Sequence, residues 1–194
     1  MATLVESFDL FPILFAKYNI SGYDEEKDVI ESILHDSTLK EHGQLRGNAK
    51  TTITAHNRDV LEEYSTLRNK IQAAVDMYTE RSGLVPLKAK GSWYSLYENG
   101  GHINRHYHPN SQVSGAYYPY VESNYTSIVF ENPTIVLRPT DMWHNTTKYT
   151  ENAKEIAVQA GDLILFPSWV YHFTDPNISG KRCVISFNTQ FRGD

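Results

Sequence analysis

The 194-residue sequence contains one cysteine, Cys183. That excludes a disulfide framework and any zinc site built from several thiolates. Positive charge is in short supply: 18 Lys and Arg stand against 23 Asp and Glu, a formal net charge of −5. A duplex-binding protein needs a basic face, so no nucleic-acid partner is expected. No apolar run approaches the roughly 18 residues of a membrane span. Met1-Ala2-Thr3-Leu4-Val5-Glu6 lacks the basic-then-apolar pattern of a secretory leader. The expectation is a cytoplasmic protein with no membrane partner. Repeats, low-complexity tracts and an interdomain linker are also missing, which leaves one domain over 1–194.

Hydrophobic residues make up 40% of the chain, enough for a core. The first part, 1–87, reads as a strand with supporting helices. Leu10 to Ile20 has the pattern of an opening strand, and Pro12 near its start suits a sheet edge. Asp24 to Leu34 predicts a helix with Asp24 as N-cap and Val29, Ile30, Ile33 and Leu34 as its apolar stripe. His35 to Thr54 reads as a loop. A longer helix, capped by Asn57 or Asp59, is expected to run to about Arg81. Its stripe is Val60, Leu61, Tyr64, Leu67, Ile71, Ala74, Val75 and Tyr78, and Gly83 is the stop.

From Lys88 the pattern changes to short segments divided by turn residues. Strands are predicted over Gly91–Tyr97, Ile103–His108, Val113–Val121, Thr126–Glu131, Thr134–Arg138, Ile156–Gln159, Leu163–Phe166 and Arg182–Phe191. This spacing predicts a mainly β protein, an antiparallel sandwich or barrel, with the helices covering one sheet. Tyrosine is abundant, 13 in all, and suits pocket walls as well as strands.

Three of the eight histidines, His102, His106 and His108, fall within seven residues. Side chains at i and i+2 of an extended strand share a face. His106 and His108 would then sit side by side, with Asn104 and His102 on the same parity. Two adjacent imidazoles can hold a divalent transition metal, but a further ligand must come from elsewhere. His172 follows the apolar strand Leu163-Ile164-Leu165-Phe166 and a proline turn, and is the candidate. Ten residues on, Arg182 opens a strand on which Cys183, Ile185 and Phe187 alternate with Arg182, Val184, Ser186 and Asn188. An inward arginine is costly unless it meets an anion. Its partner is either a small carboxylate ligand, gripped two-pronged, or a structural Asp or Glu.

These segments also carry a family resemblance. Tyr97-Glu98-Asn99-Gly100-Gly101, His106-Tyr107-His108-Pro109-Asn110-Ser111, Ser114-Gly115-Ala116-Tyr117-Tyr118, Phe166-Pro167-Ser168-Trp169 with His172, and Arg182 to Asn188 together resemble the 2-oxoglutarate/Fe(II) oxygenases often found in phages and marine bacteria. Those are relatives of the prolyl-hydroxylase-like dioxygenases. The resemblance implies a double-stranded β-helix, a jelly-roll or cupin-like barrel whose catalytic core spans 88–190. It implies Fe(II), 2-oxoglutarate and O2 as cofactors, and a protein side chain or small molecule as the substrate hydroxylated. Carried over by position, His106 is the first metal ligand and His172 the distal one. Arg182 would grip the far carboxylate of the oxo acid, assisted by Ser186. Asn104, Ser114, Tyr94 and Tyr97 would orient ligands and cofactor. Trp169 and Phe166 are expected in the core, with Trp93 ambiguous, and 139–152 is a candidate lid.

His108 stands where the family has a carboxylate. Three arrangements follow, in order of preference: His108 ligates directly; His106 and His172 hold the ion alone; or the register slips by two, making His108 the first ligand with Asn110 beside it. Asp162 and Glu131 are possible carboxylates from neighbouring strands. Two other functions stay open: a three-histidine dioxygenase that needs no oxo acid, and a non-catalytic barrel that binds. The oligomeric state is open, and a homodimer is compatible with the sequence.

Overall fold

The computed structural model describes residues 6, 7, 9, 11–53, 58–122, 126–137 and 145–193. Eleven strands and three α-helices follow in the order β1 Ala16–Asn19, α1 Glu26–His35, β2 Leu45–Arg46, β3 Ala49–Thr51, α2 Val60–Glu63, α3 Ser65–Ser82, β4 Leu87–Tyr97, β5 His102–Ile103, β6 Val113–Val121, β7 Ser127–Glu131, β8 Ala153–Ala157, β9 Asp162–Pro167, β10 His172–Phe173 and β11 Arg182–Phe191. The large sheet has the order β1-β9-β6-β11-β4-β3, and a smaller one runs β10-β7-β8, with a β2-β5 ladder beside them. Every ladder is antiparallel. The architecture is a double-stranded β-helix, mainly β, with the helices on one face of the large sheet.

Strand alternation sorts the core into two layers. Cys183, Ile185 and Phe187 of β11 point to the helices and pack with Val29, Ile33, Leu67, Ile71 and Val75. Val184 points into the barrel, with Ala116, Tyr118, Ile128, Phe130, Ile164 and Phe166. Each large apolar side chain so buried contributes about 1.5–3 kcal/mol of transfer free energy. Gly115 is required by this packing, because a Cβ there would lie 2.1 Å from the Phe187 ring. Cys183 is fully buried on the helix side, and burial pushes its thiol up to about 12, so it stays protonated.

Several elements differ from the sequence reading. Strand β1 covers only the end of the predicted 10–20 segment, although it is an edge strand as Pro12 suggested. Asp24 does not cap α1; Glu25 holds the N-cap position and turns its carboxylate to Thr66 N and Leu67 N at the start of α3. The expected 35–54 loop contains β2 and β3. The expected long helix breaks at Tyr64, which is extended, into α2 and α3. Asn57 lies outside the described residues. Asp59 precedes α2, yet its carboxylate accepts from Gly91 N (2.8 Å) and Ser92 N (3.2 Å) of β4. Gly83 does end α3.

In the second half, β6 and β11 have the predicted bounds. The predicted 103–108 strand is only β5, since the chain leaves extended pairing before Pro109 and Asn110 takes a positive φ of 64°. The 134–138 strand is instead a 3₁₀ turn at Ile135–Leu137, started by Asn132, whose side chain accepts from Thr134 N and Oγ1. Arg138 and residues 139–144 of the candidate lid lie outside the described residues.

Candidate metal centre

The barrel opens on a cavity of about 390 Å³. At its inner end His106, His108 and His172 converge, with one ligand nitrogen from each lying within 4.8 Å of the others. Different elements place them. His106 and His172 form a two-residue β-bridge, each backbone N–H donating to the other's carbonyl, at 3.0 and 2.9 Å. His108 N donates to Ser168 O at 2.9 Å, so the turn before His172 also anchors the 106–108 segment. The i, i+2 spacing thus brings His106 and His108 together although only short pieces of strand surround them.

Each ring has its Nδ1 tied to an oxygen: His106 to Asn104 O (2.8 Å), His172 to Val170 O (3.0 Å), His108 to Asn188 Oδ1 (2.7 Å). Oxygen acceptors keep the proton on Nδ1 and leave the Nε2 lone pairs to face one another. Burial lowers the pKa of all three rings. His108 is pushed down to about 4 by burial and by the neighbouring His106, against the Asn188 bond. His172 is held well below its ordinary value by burial and by both other histidines, and His106 is lowered by burial. Three neutral, converging imidazoles are a donor set that suits Fe(II), Zn or Cu. Aromatic rings wall them in: Trp93 stacks on His108 (5.7 Å, 24°), and Phe166 meets His172 edge-on at 4.7 Å.

Arg182 is 2% exposed. One guanidinium nitrogen donates to Thr174 Oγ1 at 3.1 Å, and the group lies 4.5 Å from the Tyr97 ring centre. Its Nε is buried without a partner, and no carboxylate pairs with it among the described residues. Arg182 lies behind the wall, whose lining includes Thr174, Tyr97, Tyr118, Val184 and Ser186. Burial raises the phenol pKa of both Tyr97 and Tyr118, while the nearby Arg182 charge pulls each down. Among the described residues, then, a neutral three-nitrogen cluster lines the cavity, and a buried cation with no carboxylate partner lies against Thr174 and Tyr97 of its wall. The first fits a divalent metal and the second fits an anion.

Other expected residues fall elsewhere. Tyr94 points to the helix layer, 5.0 Å beneath the Arg58 guanidinium. It pairs with Ile185, whereas Trp93, Ser95 and Tyr97 pair with Ser186, Val184 and Arg182 on the barrel face. Asn104 acts through its carbonyl, and its side chain does not line the cavity. Ser114 reaches His108 only through Asn188. His102 bonds Gly100 O outside the cluster. Glu131 pairs with Arg105, and Asp162 with Lys17 and Gln159 N, so neither carboxylate joins the histidines. Asn110 is not in the cluster either. Phe166 is buried as expected, but Trp169 is 51% exposed. The sequence reading missed Thr174, Tyr118 and the role of Asn188. Each was detectable by parity, two residues past His172 or on the barrel faces of β6 and β11.

Comparison with known proteins settles the family. A family model described as "Putative 2OG-Fe(II) oxygenase" matches residues 91–188, just over half of the chain. The chain belongs to this family. It is accordingly a 2-oxoglutarate-dependent oxygenase, with Fe(II), 2-oxoglutarate and O2 as its cofactors. Curated proteins give no match. Solved structures share the fold. A prolyl-4-hydroxylase of Pseudomonas putida is 14% identical with a TM-score of 0.59, covering 92% of this chain and 93% of that one. A viral collagen prolyl hydroxylase of Paramecium Bursaria Chlorella virus-1, in a 2OG complex, is 13% identical with a TM-score of 0.59, over 91% and 96%. HygX of Streptomyces hygroscopicus, with nickel and 2-oxoglutarate bound, is 12% identical with a TM-score of 0.58, over 93% and 84%. No helix among the described residues is long and apolar enough to cross a membrane.

Proposed function

We propose that His106, His108 and His172 hold the Fe(II) of this oxygenase, and that Arg182 receives the far carboxylate of 2-oxoglutarate with help from Thr174, Tyr97 and Tyr118. The observation that carries this reading is the cavity wall: it holds three neutral imidazoles with their Nδ1 atoms tied back, and also Thr174 and Tyr97, behind which sits a buried guanidinium with no carboxylate partner among the described residues. The imidazoles supply lone pairs at no protonation cost at neutral pH. Arg182 supplies a fixed positive charge that pulls a dicarboxylate into one orientation. Thr174 holds the guanidinium by one nitrogen, leaving others for a ligand. Ser186 lines the cavity on the strand of Arg182, as an additional hydroxyl toward the oxo acid. Trp93, Phe166, Ile128 and Val184 exclude water from the reacting centre. When bound, the ion and oxo acid supply oxidative decarboxylation to succinate and CO2, coupled to hydroxylation of a substrate C–H bond.

The substrate side of the cavity includes His42, Gln44, Ile53, Trp93, Tyr107 and Pro109, and no Asp, Glu, Lys or Arg is among the described lining residues. This supports a peptide side chain or small molecule whose reacting part is uncharged. A cytoplasmic setting completes the proposal. A three-histidine dioxygenase without an oxo acid leaves Arg182 buried with no task, so the oxo-acid reading is preferred. The test is spectroscopic. Under anaerobic conditions, Fe(II) with 2-oxoglutarate is expected to give a weak visible charge-transfer band that Fe(II) alone does not. Iron demonstrably bound, with no band on adding the oxo acid, would refute the assignment. Substrate-free turnover to succinate checks activity.

A further inference from the structure

The three imidazoles are not held alike. His106 and His172 are fixed by backbone carbonyls, whereas His108 is fixed by a side chain, Asn188. Asn188 Oδ1 accepts from His108 Nδ1 at 2.7 Å and from Ser114 Oγ at 2.9 Å. Ser114 Oγ also meets Ser168 Oγ at 2.7 Å, and both serines are fully buried. Ser114 has one proton and gives it to Asn188, so Ser168 must donate to Ser114. The chain of donors runs Ser168 to Ser114 to Asn188, and His108 meets it as the other donor. Every proton in it has one place, and the His108 ring is left with a bare Nε2.

Strand β4 is irregular opposite Asn188. The β11–β4 ladder shifts register between Phe187 and Asn188, skipping Gly91, which has a positive φ of 65°. This is a bulge with its extra residue on β4, while Asn188 faces the barrel by the plain alternation of β11 with Ser186 and Val184. Asp59 accepts from the N–H groups of Gly91 and Ser92 at the bulge.

We propose that Asn188 is a positioning residue that makes His108 serviceable as a neutral metal ligand, by holding the Nδ1–H tautomer and the ring direction. The proposal rests on the reading that His108 binds the ion. It explains how a histidine works where the resemblance leads one to expect a carboxylate: the pocket supplies an acceptor behind the ring.

The experiment titrates the metal-free 194-residue chain with Ni(II), an air-stable substitute for Fe(II), and compares wild type with Asn188→Leu, Asn188→Asp and His108→Ala. Asn188→Leu keeps the volume but removes the acceptor, and is expected to weaken Ni(II) binding by about 10–100-fold. Asn188→Asp keeps an acceptor and is expected to bind at least as tightly as wild type. Wild-type affinity in Asn188→Leu, or equal loss in both Asn188 variants, would overturn the proposal. Wild-type affinity in His108→Ala would instead overturn the underlying ligand assignment, so the two failures are distinguishable. Nitrogen NMR of the histidine rings in metal-free wild type needs no variant to fold. It should show His108 protonated at Nδ1 and bare at Nε2; the reverse tautomer would refute the proposal.

Discussion

With Arg182 in the proposed role of oxo-acid receptor, function is set against stability, and Arg182→Met measures both. The guanidinium is 2% exposed and bonds Thr174, with Nε unpartnered and no carboxylate beside it among the described residues. An uncompensated buried charge costs about 3–5 kcal/mol. The Thr174 bond and the face of Tyr97 together return about 2–3 kcal/mol. Thr174 would not be orphaned by the change, because its Oγ1 also accepts from Ile103 N. Methionine fills most of the stem's volume and adapts to the gap. The ligand-free variant is therefore expected to be more stable than wild type by about 1–2 kcal/mol, read from urea denaturation with metal chelated. With Ni(II) and 2-oxoglutarate at a hundred times its dissociation constant, wild type should gain about 2.7 kcal/mol over the Ni(II) form, and the variant almost none. The order of stability then reverses on adding the oxo acid. A ligand-free variant destabilised by more than about 1 kcal/mol, or an undiminished gain from 2-oxoglutarate, would refute the reasoning.

Acid should destabilise the metal-free protein through its buried histidines. His108 has its folded pKa lowered to about 4, whereas the unfolded ring titrates near 6.5, so the unfolded chain takes up the proton first. Stability is therefore full above about pH 6.5 and falls toward pH 4, by about 3 kcal/mol for His108 alone. His106 and His172 act in the same direction. Urea midpoints measured between pH 7 and 4 with metal chelated check this, and a flat profile would contradict it. Gly115→Ala places a Cβ 2.1 Å from the Phe187 ring and should cost about 1–3 kcal/mol by overpacking; a thermal midpoint within a degree of wild type would show that the ring has room to yield.

What the sequence made legible follows the strength of the local signal. Strands β6 and β11 are long, alternate cleanly and are bounded by turn residues, so their limits and faces were readable. The barrel-facing Arg182, Val184, Ser186 and Asn188 were identified from parity alone. The i, i+2 histidines and His172 were found because few residue types bind a metal. Short elements were not legible: β2, β3, β5 and β10 have two or three residues each, too few for a period to register. The role of Asp59 was misjudged because a carboxylate before an apolar helix signals a cap, while its true partners lie 32 and 33 residues away at the β4 bulge. Tyr94 and Tyr97 could not both face the site, since they stand three positions apart on one strand, an odd spacing. Pairing with Ile185 and Arg182 decides which one does.

The charge balance explains why these features belong together. With His108 in place of a carboxylate, the proposed donors are three neutral rings, and the cation of Arg182 lies behind Thr174 and Tyr97 of the same cavity. A divalent ion placed there meets no protein anion within the cluster. In the proposed reading the balancing negative charge comes with the oxo acid, its near end toward the ion and its far end toward Arg182. On that reading, retention of metal and retention of oxo acid would be coupled, because each removes the other's unbalanced charge in a cavity walled by Trp93, Phe166, Ile128 and Val184. The fold carries the cost as a buried guanidinium with no carboxylate partner among the described residues and as histidines held neutral by burial. The helix-backed large sheet, with Phe187 locked against Gly115 behind the site, supplies the packing energy that offsets it.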